Sequence, residues 1–409
     1  MAATGTAPVD RASVVSTISD AEGYIVSICF KTGPPRLVGV ELEFLVHDQA
    51  DPRAVIEPAR LRRALGNHAP TTLTPDSSTL PLSRGGVVTV EPGGQVEIST
   101  PPYSSLARLA ADTAADLLQL QGLLAAEGLT TRHDAIDPLR TPHLMLDTPR
   151  YRAMARNFNH AGPEGFTMMC STASLQVSID VGAPDRIAAR WAAAHAVGPV
   201  LLAAFAAGGR HPAMDSGWAS PRMRTWLSID QARTRPAFCS ETSDPTRDWA
   251  QYSLDAPLLC RRRAGEDWSV PRGLTFADWI RHPEPFPPTF GDLEYHLSTL
   301  FPPVRPRGYL ELRYLDAQPA GQWLAPAALL AGLNTDDALL DEAAEICAPV
   351  RDRWHEAAQW GLADRPLGAA ALALRDVATR AVGRTDLSPA QIDAVVERLE
   401  RCLQPRSLR

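Results

Sequence analysis

Glu41 and Glu43 stand two apart in "VGVELEFLV", Val38 to Val46. Side chains two apart in a strand point the same way. Val38, Val40, Leu42, Phe44 and Val46 therefore share one face, and Gly39, Glu41, Glu43 and Leu45 share the other. Two like charges side by side in an apolar strand repel, and both stay ionised when a cation sits between them. Oxygen-only donors in a shared, partly hydrated site suit Mg²⁺, which in turn suits nucleotide phosphates. Glu41 and Glu43 are thus candidate metal ligands.

The pattern recurs. In "TVEPGGQVEIST" Glu91 and Glu97 flank a Pro-Gly-Gly turn, and Glu97 alternates with Val96 and Ile98. In "LQVSID" Gln176, Ser178 and Asp180 share a face against Leu175, Val177 and Ile179. In "YLELRYL" Tyr309, Glu311 and Arg313 oppose Leu310, Leu312 and Tyr314. One such strand is what an antiparallel sheet shows to water. Several together, carrying acid and almost no lysine, ask for a cation.

These strands need a frame. Residues 1–35 read as a helical or irregular lead-in, 36–100 as strands and turns, and Ser104 to Glu127 as a helix capped by Ser104 or Ser105 and ended by Gly128. Residues 209–310, rich in Pro, Trp and Arg, read as long functional loops with short elements. The last eighty or so residues are helical; in "LSPAQIDAVVERLERCL" Ser388 caps, Pro389 takes the first turn, and Ile392, Val395, Val396 and Leu399 form the apolar stripe. The order predicts an α+β fold with an antiparallel or mixed sheet and helices outside it.

Of 409 residues, 45% are hydrophobic and 21% charged, an ordinary globular balance. A net charge of −7 argues against a nucleic-acid surface. Lys31 is the only lysine, which rules out a Walker-type loop and leaves phosphate to arginine and metal. The six cysteines form no CxxC pair and the N-terminus lacks the order of a signal peptide, so a reduced, cytoplasmic protein is expected. The apolar run Ile187 to Ala207 carries Arg190, His195 and Pro199 and reads as a core helix, not a membrane span. None of the ten histidines shows HxxxH spacing.

The segments "VGVELEF", "VEPGGQVEIS", "ASLQVSID", "SPRMRTWLSIDQAR" and "TLFPPVRPRGYLELRYLDAQP", spread over roughly residues 36–330, resemble the glutamate–cysteine ligases of the plant-type and actinobacterial branch, in particular the type that feeds ergothioneine synthesis. The resemblance implies a glutamine-synthetase-like, mainly antiparallel catalytic sheet curved into a funnel, with helices packed outside. It implies a catalytic domain over 36–330 and a C-terminal helical region, 331–409, packed on it. The substrates would be L-glutamate, L-cysteine and ATP, with Mg²⁺, or Mn²⁺ in its place. Neither nucleic acid nor membrane is expected as a partner, and the chain would be a monomer or dimer.

The resemblance also carries roles. Glu41, Glu43, Glu97 and Glu311 are implied as metal ligands, with Glu91 beside them. Gln176 stands where distant ligases have histidine, so a substrate contact is expected of it rather than a metal bond. Arg222, Arg233 and Trp226 fall to substrate, Arg313 and Arg233 to the nucleotide, and Arg313 and Arg222 to catalysis. Such an enzyme phosphorylates the glutamate γ-carboxylate with ATP, and the cysteine amine then displaces phosphate. That chemistry needs charge neutralisation and alignment rather than a protein nucleophile, and no Ser-His-Asp or Cys-His set is evident. Two alternatives stand beside this reading: a ligase of the same fold with another amine acceptor, and a non-catalytic metal- or amino-acid-binding protein.

Overall fold

The computed structural model describes residues 10–208, 217–238, 240, 244–265 and 267–405. The predicted α+β architecture is what it shows: an open, seven-stranded antiparallel sheet with helices against it. The strands are β1 (Val38–Asp48), β2 (Val87–Val90), β3 (Val96–Ser99), β4 (Leu129–Arg132), β5 (Ser174–Ile179), β6 (Val304–Pro306) and β7 (Leu310–Asp316). Their order is β2-β3-β1-β5-β7-β6, and β4 pairs with the last four residues of β1.

The alternation read from sequence decides which way each strand faces. Val40, Leu42, Phe44 and Val46 of β1 are buried with Val88, Val96, Ile98, Leu175, Val177, Leu310 and Leu312 in one core. Each fully buried aliphatic side chain of this kind contributes about 1.5–3 kcal/mol. The polar residues are thereby forced together on the opposite face. The helix Leu324–Thr335 packs against β5 and is covered in turn by Arg365–Val382.

Two turns set the acidic strands. The β2–β3 hairpin turns at Pro92-Gly93-Gly94, and a Cβ on Gly93 would meet the Cys170 carbonyl oxygen at 2.1 Å, so only glycine lets the turn dock there. The register of β5 against β7 shifts by one between Leu175 and Val177, which pair with Leu315 and Leu312. Arg313 and Tyr314 therefore both lie opposite Gln176. A bulge of this kind re-aims side chains.

The helix expected over 104–127 runs Leu106–Ala126, with Ser105 accepting from the Arg108 amide. The alanine-rich run forms two helices, Ile187–Ala196 and Gly198–Ala204, because Gly198-Pro199 interrupts it. Within Pro184–Ala204, 78% of the apolar window is packed inside the fold, which is where a core helix sits. The region 209–310, expected as long loops with short elements, has its short elements as helices. Its described part holds the helices Pro221–Ser228, Gln231–Thr234, Pro245–Asp255, Phe276–Arg281 and Phe290–Leu297. Ser, Thr or Asp side chains cap all five, and Pro takes the first turn in two of them, Pro221–Ser228 and Pro245–Asp255.

Candidate active site

The polar faces of β1, β3, β5 and β7 meet as one surface. Glu43 is the direct partner of Glu97 across β1–β3, and Glu41 is the partner of Gln176 across β1–β5. Gln176 Nε2 donates to Glu43 Oε1 at 2.9 Å, and the Ser174 amide donates to Glu43 Oε2 at 2.8 Å. Glu97 is buried and accepts from Thr89 Oγ1 at 2.7 Å and Ser99 Oγ at 3.0 Å. Glu91, at the hairpin, belongs to the same electrostatic group.

The carboxyls strain against one another. Burial, then the Glu311 charge, pushes Glu41 up to about 7. Burial, then the Glu43 charge, does the same to Glu91, also to about 7. Glu97 is raised well above the usual range by burial and by Glu41, Glu43 and Glu91. A group of acids that resist ionisation together is relieved by a divalent cation. The donors are all oxygen, which fits Mg²⁺ or Mn²⁺ and excludes a soft metal site. Among the described residues, no three such side chains converge closely enough to enclose an ion as they stand. Glu43 accepts one hydrogen bond on each oxygen, from Gln176 and the Ser174 amide, which leaves a further lone pair on each for an ion.

Glu311 has a different environment. It is 0% exposed, and Arg305 Nε donates to it at 2.6 Å, Arg313 Nη1 at 2.8 Å and Arg307 Nη1 at 3.1 Å. Burial alone would raise its pKa, but Arg305, Arg313 and Arg307 outweigh it and hold Glu311 ionised well below the usual range. Arg313 also donates to Gln176 Oε1. Arg313 thus bridges the acids and the arginines, at the bulge that aims it.

Arg222 lies in the first turn of the helix Pro221–Ser228 and is 2% exposed. Its Nη2 donates to the Arg313 carbonyl at 2.8 Å, and its Nη1 lies 3.7 Å from Asp316 Oδ1. Asp316 is itself fixed by the Ala207 amide and Ser220 Oγ, each at 2.8 Å. The Arg222 and Arg313 guanidinium carbons each lie 5.6 Å from the Trp226 ring centroid. Arg222, Trp226, Thr234, Phe301, Pro303 and Arg313 line a narrow cavity of about 10 Å³.

Arg233 stands apart from the expected set. It is 0% exposed, with Nε on Asp230 Oδ2 at 2.7 Å, Nη1 on the Thr299 carbonyl at 3.1 Å and Nη2 on the Pro257 carbonyl. Every nitrogen of its guanidinium is thus engaged within the protein. Sequence reading passed over Arg305 and Arg307, although both fall in the quoted "VRPRGYLELR", with Arg305 opposite Glu311 in the β6–β7 ladder. It also missed Arg150, whose charge acts on Glu91 and whose guanidinium holds Ser298.

A surface of acids, arginines and one aromatic wall can bind a metal, phosphates and an amino-acid carboxylate at once. The family model for glutamate–cysteine ligase family 2 (GCS2) matches residues 37–405, which include every strand of this sheet. The chain belongs to the glutamate–cysteine ligase family 2. Within that family it is 38% identical over 387 residues to glutamate–cysteine ligase EgtA of Mycobacterium tuberculosis, covering 90% of this chain and 86% of the relative. It is 35% identical to EgtA of Mycolicibacterium smegmatis, covering 96% and 89%. A chloroplastic glutamate–cysteine ligase of Medicago truncatula is 28% identical over 64% of this chain and 53% of its own length. The structure of a glutamate–cysteine ligase from Francisella tularensis in complex with AMP shares the fold, with a TM-score of 0.51 at 11% identity, covering 91% of this chain and 82% of that one.

Proposed function

We propose that this protein is a glutamate–cysteine ligase that uses ATP to join the γ-carboxyl of L-glutamate to the amine of L-cysteine, for ergothioneine synthesis in the cytoplasm. The observation that carries the reading is the acidic face of β1 and β3 meeting Arg313 in a chain of this family. Glu41, Glu43, Glu91 and Glu97 form one interacting oxygen set, and Glu311 acts on it through Glu41. Bound there, Mg²⁺ supplies charge neutralisation to the ATP phosphates. The buried, unlinked thiols Cys29, Cys170, Cys260 and Cys347 suit a reducing compartment.

The chain's own residues do the positioning. Arg222 and the Trp226 ring line the narrow cavity, where a guanidinium receives the glutamate α-carboxylate. Arg313, held by Glu311 and Gln176, faces the point where negative charge builds as the γ-carboxylate oxygen takes the γ-phosphoryl group and ADP leaves. The cysteine amine then bonds to the acyl carbon, loses a proton, and inorganic phosphate departs. Neither step needs a protein nucleophile.

Purified protein with ATP, Mg²⁺ and glutamate should release phosphate in step with γ-glutamylcysteine only when cysteine is added. Faster release with serine, alanine or 2-aminobutyrate would reassign the acceptor. The absence of any glutamate-dependent ADP formation would overturn the ligase reading.

A further inference from the structure

Three other buried arginines each touch a carboxylate: Arg190 meets Asp337 at 2.7 Å, Arg233 meets Asp230 at 2.7 Å and Arg305 meets Glu311 at 2.6 Å. Arg222 does not. It is 2% exposed and Asp316 is 0% exposed, yet the two lie 3.7 Å apart, beyond hydrogen-bond reach. A guanidinium and a carboxylate buried side by side ordinarily close into a direct, often bidentate pair. This pair is held open.

The partners of Asp316 supply the restraint. Its Oδ2 accepts from the Ala207 amide and its Oδ1 from Ser220 Oγ, each at 2.8 Å. Ser220 cannot follow Asp316 toward Arg222. Its backbone amide is tied to the Ala358 carbonyl at 2.8 Å. Its hydroxyl also accepts from the Met223 amide at 3.1 Å, which caps the helix carrying Arg222 and Trp226. Among the described residues, Arg222 donates only to the Arg313 carbonyl at 2.8 Å and the Met223 sulfur at 3.3 Å. A guanidinium has more N–H groups than these two contacts use. The fork therefore keeps donors for a carboxylate from outside the protein.

We propose that Asp316 and Ser220 are positioning residues for glutamate. Asp316 gives Arg222 a counter-charge across a gap, and Ser220 keeps that gap open, so that the substrate α-carboxylate and not Asp316 takes the guanidinium. The inference rests on the ligase reading and deepens it. A buried arginine with no negative neighbour is costly. One in direct contact with protein acceptors is used up, as Arg233 is by Asp230 and the Thr299 and Pro257 carbonyls. The spacing of Asp316 from Arg222 avoids both.

The test is Ser220→Gly and Ser220→Ala, with Ser220→Thr as the variant that keeps the hydroxyl. Glycine replaces serine at an N-cap with little loss of helix stability, so the cap is not what Ser220→Gly removes. Without the hydroxyl, Asp316 Oδ1 turns to Arg222 and competes with glutamate. Each variant is measured for KM toward glutamate and ATP, for glutamate binding by calorimetry and for melting temperature. The glutamate KM and dissociation constant should rise about tenfold in Ser220→Gly and Ser220→Ala, with the ATP KM within about twofold of wild type. Their melting temperatures should stay within a few degrees of wild type, because Asp316 gains a new partner, and Ser220→Thr should behave as wild type. A purely structural hydroxyl would give the reverse, a lower melting temperature with an unchanged glutamate KM. That result, or glutamate and ATP KM values rising together, would overturn the proposal while leaving the ligase activity standing. If Ser220→Thr does not fold, the glycine and alanine variants decide. Wild-type protein that neither binds glutamate nor consumes ATP with it would instead remove the ligase reading, and this placement with it.

Discussion

Glu43 and Glu97 face each other directly across the β1–β3 ladder, and each is held by neutral donors: Gln176 and the Ser174 amide on one, Thr89 and Ser99 on the other. Like charges directly opposite in a sheet are destabilising. If the proposed cation site is right, the arrangement trades stability for it, and that trade can be measured from both sides.

Glu97→Gln should separate the two. The amide oxygen still accepts from Thr89 and Ser99, while the charge is gone. Activity should fall by about 10³-fold, the scale of metal-assisted charge stabilisation. In chelator at pH 8 the variant should melt higher than wild type. Near-normal turnover at saturating Mg²⁺, or a lower melting temperature, would contradict the assignment.

The pH dependence of the metal-free protein follows from the same acids. Glu41 and Glu91 have an ordinary value of 4.5 and stand at about 7 in the fold. The folded state therefore holds protons that the unfolded state has released, so their contribution is complete below about pH 4.5 and is lost as pH rises through 7. His195 and His296, pushed down to about 4 by burial, act in the opposite sense, because stability is lost as pH falls below 6.5. Melting curves from pH 5 to 8 should thus be compared with and without Mg²⁺. The stabilisation by Mg²⁺ should grow with pH; a gain that does not depend on pH would contradict the acid cluster as its source.

The alternation of residue types made most of this surface legible in the sequence. Period-two runs such as "VGVELEFLV" have one apolar face, and burying it leaves Glu41 and Glu43 nowhere else to point. The arginines were harder to read because a guanidinium's role depends on what its long side chain reaches. Arg305 and Arg307 sit four and two residues before Tyr309, yet their convergence on Glu311 exists only once the β6–β7 hairpin closes. Arg233 lies in a matching motif, but its partners Thr299 and Pro257 are 66 and 24 residues away. The helices between 217 and 297 were missed because proline and tryptophan there start and bury short helices instead of marking loops.

Arg233→Met tests whether this buried arginine holds the fold or reaches substrate. The variant should lose roughly 1–3 kcal/mol of stability from unmade buried hydrogen bonds. Folded protein should retain its KM for glutamate and ATP. A large rise in either KM without loss of stability would return Arg233 to the site.

Arg222→Lys should be harmful at this position. A single ammonium cannot hold the Arg313 carbonyl, approach Asp316 and receive a carboxylate in one plane. Glutamate KM should rise at least about tenfold, with ATP KM little changed. An unchanged glutamate KM and kcat would move α-carboxylate recognition to Arg313.

The most direct measurement follows the γ-carboxyl oxygen. An acyl phosphate passes one carboxyl oxygen to the departing phosphate. Glutamate labelled with ¹⁸O in its γ-carboxyl should therefore transfer label to inorganic phosphate in step with γ-glutamylcysteine formed, and ADP should be the nucleotide product. Product formed with AMP and pyrophosphate, or with unlabelled phosphate, would contradict the proposed reaction at this site.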